Sequence, residues 1–200
     1  MLLVGAGSWI CLLFFTQWYP QAERQLFRWS LTMGYIALAL LAVTLSLGVW
    51  NVMRRRRNPV SADLRRDLGI WCAFLSLAHV VLGLNVHMKS WTLYFVQEAG
   101  WPRADLFGGA NYVGALATFL VVILLGTSND YSIRRLGKMR WKTVQRFNYL
   151  FFALVMLHSL FYVAVEKRFM PYALVLVLIS AYVLAVQFAG FRRVRNGEAA

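Results

Sequence analysis

The stretch LGIWCAFLSLAHVVLGLNVHM, residues 68–88, carries no Asp, Glu, Lys or Arg. An uncharged apolar run of about 18 residues or more is long enough to cross a bilayer as a helix. Working outward, the same reading gives five further runs, at about residues 2–19, 31–52, 108–126, 147–165 and 169–190. The chain of 200 residues is 60% apolar and 14% charged, against roughly 45–50% and 25% in soluble domains. The sequence predicts an all-α integral membrane protein, a bundle of six transmembrane helices forming one membrane domain over residues 1–200. Six spans of about 20 residues leave about 80 residues for short loops. No contiguous stretch reaches the roughly 100 residues that a nucleotide- or flavin-binding domain needs. Electrons for any redox chemistry must therefore come from another molecule.

Charge sets the orientation and removes other classes. The net charge of +13 would suit nucleic acid, but the basic residues flank membrane spans, so no nucleic-acid partner is expected. Arg54, Arg55, Arg56, Arg57, Arg65 and Arg66 follow the second span, and six more basic residues from Arg134 to Arg146 follow the fourth. Arg192, Arg193 and Arg195 follow the sixth. Arg24, Arg28, Lys89, Arg103, Lys167 and Arg168 fall on the other side. Basic residues accumulate on cytoplasmic loops, so both termini are expected in the cytoplasm. The basic loops are also placed to meet anionic lipid headgroups. Trp18, Tyr19, Trp29, Trp50, Trp91, Trp101 and Trp141 lie near span ends, where interfacial aromatics gather. Cys11 and Cys72 both fall within spans and give neither a CxxC pair nor a disulfide framework. P-loop, HExxH and GxSxG motifs are absent from the sequence. The first span lacks the basic start and small-residue cleavage site of a signal peptide.

Three histidines are present: His79, His87 and His158. Polar groups inside a span are costly and tend to be functional. His79 and His158 each lie eleven residues into their spans, the third and the fifth. That is about 16 Å deep at 1.5 Å per residue, near the centre of a core about 30 Å thick. The two spans run in the same direction. Matched imidazoles on parallel helices could bind one metal from opposite sides, as two axial histidines bind haem iron. They could equally hydrogen-bond neighbouring helices or relay protons. Zinc fits poorly, because no Cys, Asp or Glu in the spans completes four ligands; Cys72 lies two turns from His79, about 10 Å along the axis. The His79 face reads Gly69, Cys72, Ser76, His79, Gly83, His87. Small residues there admit either a flat macrocycle or another helix. The His158 face reads Phe151, Val155, His158, Phe161 or Tyr162, Val165. His87 is about 12 Å further out, either a solvated interfacial residue or, with Lys89, a contact for haem propionates or an electron acceptor. Asn111, behind Gly108-Gly109, is either a helix cap or a ligand contact.

On these residues the chain resembles the ferric reductase-like transmembrane family, over roughly residues 31–190. The matching stretches are Arg65-Arg66-Asp-Leu-Gly-Ile-Trp-Cys72 leading to His79, then Arg135-Leu-Gly-Lys138 and Trp141, then Tyr149-Leu150 and His158. Within the family the likeness is to haem-binding membrane subunits that serve a periplasmic methionine sulfoxide reductase. The resemblance implies transmembrane electron transfer through b-type haem, with His79 and His158 as axial ligands to its iron. Family members often carry a histidine 13 residues before the position of His158; here it is Gln145. The corresponding position ahead of His79 is Arg65 or Arg66. One haem per chain is therefore expected, held between the third and fifth helices. A flavin phosphate (FMN) or a quinone headgroup could sit by Arg65, Arg66, Gln145 and Arg146, which otherwise serve topology and lipid contact. The resemblance implies quinol or a cytoplasmic flavin reductase as donor and a periplasmic reductase subunit as acceptor. The alternatives are direct reduction of external ferric or cupric ions, or a haem-free scaffold or transporter.

Overall fold

A computed structural model describes residues 25–53, 59–86, 90–167 and 169–196. The expected first span, Arg54 to Arg57, His87 and Lys89 lie outside the described residues. Seven α-helices are described: α1 (Gln25–Met53), α2 (Pro59–Gly83), α3 (Leu106–Gly126), α4 (Asp130–Leu136), α5 (Lys138–Arg146), α6 (Asn148–Val165) and α7 (Leu174–Arg195). Five segments among the described residues are long and apolar enough to cross a membrane: Gln25–Asn51, Asp63–Gly83, Leu106–Gly126, Lys138–Val165 and Leu174–Arg195. The protein is a multi-pass membrane protein of helical architecture.

The helices pair in two antiparallel sets. Ser30, early in α1, meets His79 near the end of α2, and Gly48, late in α1, meets Arg65 near the start of α2. Likewise Ala110, early in α3, meets His158 late in α6, and Thr127 after α3 meets Gln145 before α6. α7 runs parallel to α1, with Tyr172 beside Tyr35 at one end and Gly190 against Val49 at the other. Leu41, Leu45, Ala73, Ala117, Val121, Phe151 and Val183 form the shared core. The outward faces are apolar too, with Phe119, Leu184 and Phe188 exposed, as a lipid-facing surface requires. Lipid is as apolar as the core, so close packing of small residues and polar links hold such helices together. Gln187 is one such link: its Nε2 donates to Leu45 O at 3.0 Å, and its Oε1 accepts from Tyr149 at 3.2 Å.

Several boundaries differ from the sequence reading. α2 begins nine residues before the expected 68, because the charged turn holding Asp63, Arg65, Arg66 and Asp67 is helical. It ends at Gly83 rather than 88, where Val86 N–H bonds to Gly83 O at 3.1 Å in a turn. The expected basic loop after the fourth span is instead α4 and α5, broken at Gly137, whose φ of 76° favours glycine. The last helix starts at Leu174 because Pro171 cannot donate an N–H and pushes its predecessor extended; Met170 has φ −131° and ψ 138°.

The segment between α2 and α3 is built, not slack. Val96 and Pro102 form an antiparallel bridge around Gly100, at φ 85°. Tyr94 is buried, and its hydroxyl donates to Gly83 O at 2.7 Å. Asp105 caps α3 by accepting from Gly108 N–H at 2.7 Å and pairs with Arg103 at 2.8 Å. The Arg103 hydrogen bonds, and then the Gly108 amide, hold the Asp105 carboxyl below its ordinary 3.8.

Two outcomes follow from this packing. A Cβ on Gly190 would lie 2.5 Å from Val49 Cγ1, so Gly190→Ala should cost about 1–3 kcal/mol, read as a lower Tm in detergent, with Val49→Ala restoring much of the loss. A carboxylate with a lowered folded pKa contributes stability above the unfolded pKa and loses it as pH falls through the folded value. The protection factor of the Gly108 amide, its rate relative to the intrinsic rate at the same pH, should therefore be high near neutral pH and fall in acid below 3.8, a pH dependence that Asp105→Ala should abolish.

Candidate haem site

The two intramembrane histidines come together. The ring centroids of His79 on α2 and His158 on α6 are 6.2 Å apart, with planes at 86°. Each ring is fixed by a main-chain carbonyl on the facing helix. His79 Nδ1 is 2.7 Å from Ser30 O, and His158 Nδ1 is 2.9 Å from Ala110 O. A carbonyl can only accept, so both Nδ1 atoms carry the proton. In the neutral ring Nε2, on the far edge, then holds a lone pair. Neither Nε2 has a hydrogen-bond partner among the described residues. Two neutral imidazole donors therefore line one cavity, of about 370 Å³, a size usual for small-molecule sites.

Glycines make this arrangement possible. A Cβ on Gly34 would lie 3.0 Å from His79 Nδ1, and one on Gly114 would lie 2.8 Å from His158 Nδ1. The imidazoles rest directly on the backbone of α1 and α3. The small face of α2 serves both purposes that the sequence allows. Cys72, Ser76 and Gly83 line the cavity, while Cys72 Sγ also bonds Ala37 O at 3.3 Å. A Cβ on Gly83 would lie 3.3 Å from Ser30 Oγ. On α6, Phe151, Val155 and Tyr162 line the cavity, and the Tyr162 ring lies 5.0 Å from that of His158.

The pair does not sit at the middle of α2. His79 is four residues from Gly83, where the helix ends, or about 6 Å at 1.5 Å per residue. The expected depth was counted from Leu68; the helix instead runs from Pro59 to Gly83, so His79 lies nearer the end closed by the α2–α3 segment. Asn111 is not a cap, a role taken by Asp105. It is buried, donates to Phe107 O at 2.8 Å and Tyr94 O at 3.3 Å, and accepts from Tyr162 at 2.8 Å. It thereby ties the closing segment to α3 and α6 at the mouth of the cavity.

Arg65, Arg66, Gln145 and Arg146 lie at the other end of the bundle and do not line the cavity. Arg65 places its guanidinium against Gly48, and Arg66 pairs with Asp130 at 2.7 Å. Gln145 donates to Thr127 at 3.2 Å, and Arg146 ends α5. Ser30, Gly34, Tyr94 and Glu166 line the cavity without having been singled out in the sequence. Ser30 and Gly34 fall on the opening turns of an apolar helix, where spacing alone gives no sign of a partner. Glu166 carries a visible signal, an acid directly following a span.

Comparison with known proteins fits this arrangement. The pattern defining the ferric reductase like transmembrane component matches residues 33–165, a stretch that includes Gly34 and both cavity histidines. The chain is similar to the haem-binding subunit of protein-methionine-sulfoxide reductase from Klebsiella pneumoniae, 26% identical over 166 residues, covering 80% of this chain and 75% of that one. It is similar to the subunit of the same name from Pectobacterium atrosepticum, 28% identical over 166 residues with the same coverage. It is also similar to the magnetosome protein MamZ of Magnetospirillum gryphiswaldense, 29% identical over 137 residues, 68% of this chain and 19% of that one. With two thirds of its length inside that pattern, a multi-pass helical architecture and a paired-histidine cavity at its heart, the chain belongs to the ferric reductase-like transmembrane family.

Proposed function

We propose that the protein carries electrons across a bacterial inner membrane through one b-type haem held by His79 and His158. The observation that carries this reading is the imidazole pair, each Nδ1 committed to a carbonyl and both rings lining a shared cavity. The residues fit the group. Imidazole–metal bonds are about 2 Å long, and the 6.2 Å between ring centroids matches two rings facing one metal between them. Among the described residues no group of three or more His, Cys, Asp or Glu gathers, so two nitrogens are offered where a zinc site needs four ligands. Haem supplies its own four equatorial nitrogens and a one-electron couple. The relatives named as haem-binding subunits support the same reading.

The chain's own groups then divide the work. His79 and His158 would hold the haem iron through Nε2 and take no part as acid or base. Ser30 O and Ala110 O hold the Nδ1 protons and so fix the orientation of each ring, leaving Nε2 as the basic atom. Cys72, Val155 and Phe151 keep the cavity apolar, and Tyr94 with Asn111 closes its mouth. The basic end faces the cytoplasm under the positive-inside rule, with a sixth span in the residues before Gln25 and both termini on that side. The cavity then lies toward the periplasm, where a reductase subunit such as a methionine sulfoxide reductase collects the electrons. His79 and Arg65 are about 21 Å apart along α2, so the donor must meet the protein on the basic side. Arg65, Arg66, Gln145 and Arg146 mark that face for a quinol headgroup, a flavin phosphate or a cytoplasmic flavin reductase.

The test is substitution followed by optical spectroscopy of purified full-length protein. His79→Ala and His158→Ala should each lose most of the bound haem or turn it from six- to five-coordinate, while His87→Ala keeps the wild-type spectrum. Unchanged spectra in both of the first two variants would refute the ligand assignment.

A further inference from the structure

The two histidines are seated by the same device, used twice. On α1, Ser30 O accepts from His79, and one helical turn later Gly34 leaves room for the ring. On α3, Ala110 O accepts from His158, and one turn later Gly114 leaves room for the ring. The carbonyl and the imidazole it holds are separated by 49 residues in the first case and 48 in the second. Each seat fixes a ring in two ways. The hydrogen bond sets the direction of Nδ1, and the bare glycine backbone bounds the ring face. Neither ring can turn about its Nδ1–Nε2 direction without losing one contact or the other. The rings so held stand at 86° to one another.

We infer that Gly34 and Gly114 are positioning residues that, with the carbonyls of Ser30 and Ala110, hold the two haem-axial imidazole planes perpendicular and thereby set the electronic state of the iron. The inference rests on the haem reading above. Axial imidazoles donate π density preferentially perpendicular to their own planes. Parallel planes raise one iron dπ orbital above the other; perpendicular planes raise both alike. The near-degenerate pair leaves orbital momentum unquenched in the ferric low-spin state, and the magnetic anisotropy becomes large. Hydrogen bonding and orientation from such outer groups are established levers on haem sites.

The experiment is electron paramagnetic resonance of the oxidised, haem-loaded full-length protein. The wild type should give one strongly anisotropic low-spin signal at low field. Gly114→Ala places a Cβ 2.8–2.9 Å from Nδ1 and Cε1 of His158, closer than real Cβ contacts allow, so the ring must turn. Both histidines remain, so haem stays bound and the signal should shift to the ordinary rhombic low-spin pattern. Gly34→Ala, with its contacts at 3.0 and 3.2 Å, should shift it less, and it carries the test if Gly114→Ala does not fold. Gly126→Ala, with nothing within 4 Å of its Cβ, should keep the wild-type signal. A rhombic wild-type signal, or glycine variants indistinguishable from wild type, would overturn the inference while leaving haem binding intact. A wild type that binds no haem would overturn the functional reading and this inference with it.

Discussion

An imidazole inside an apolar bundle has two nitrogens, and each must be accounted for. A buried donor without an acceptor costs roughly 1–3 kcal/mol, so the proton on each ring needs a partner that the helices can supply. Here the partners are the carbonyls of Ser30 and Ala110. These belong to helices other than those carrying the histidines, so the two bonds fix the pairing of α1 with α2 and of α3 with α6. Once the protons are placed, the lone pairs are placed as well, and both fall in one cavity. The closing segment depends on the same register, because Asn111 and Gly83, which anchor Tyr94, lie next to Ala110 and one turn from His79.

Among the described residues, five of the six expected spans were legible in hydropathy, since an apolar surface on all sides marks a helix that faces lipid. The histidine pair was legible as well, since few residues inside the spans ionise and these two fall at equal distances along parallel helices. The boundaries were less so. Leu84 and Val86 are as apolar as any residue of α2, yet the chain turns there, and hydropathy cannot see a turn that Tyr94 stabilises from a distance. The seats of the histidines could not be read at all, because a main-chain carbonyl has no signature in sequence and a glycine such as Gly34 or Gly114 reads only as suited to close packing.

The basic end shows what this chain does differently from a bundle with two stacked metal sites. Arg65 lies against Gly48 on the same two helices that bring His79 to Gly34, and Gln145 meets Thr127 between the two that bring His158 to Ala110. The helix pairing thus repeats at a second level with other chemistry. A guanidinium stays protonated and cannot serve as a ligand, and Gln145 Nε2 is already donating to Thr127. This level offers a cation and an amide in place of two imidazoles.

The claim that one haem is held between His79 and His158 is tested most directly by the haem content of the purified full-length chain, measured with its reduced-minus-oxidised spectrum. One haem per chain, six-coordinate and low-spin in both oxidation states, is the predicted result. No haem absorbance, or two haems per chain with the second persisting when His79 and His158 are both replaced, would contradict it.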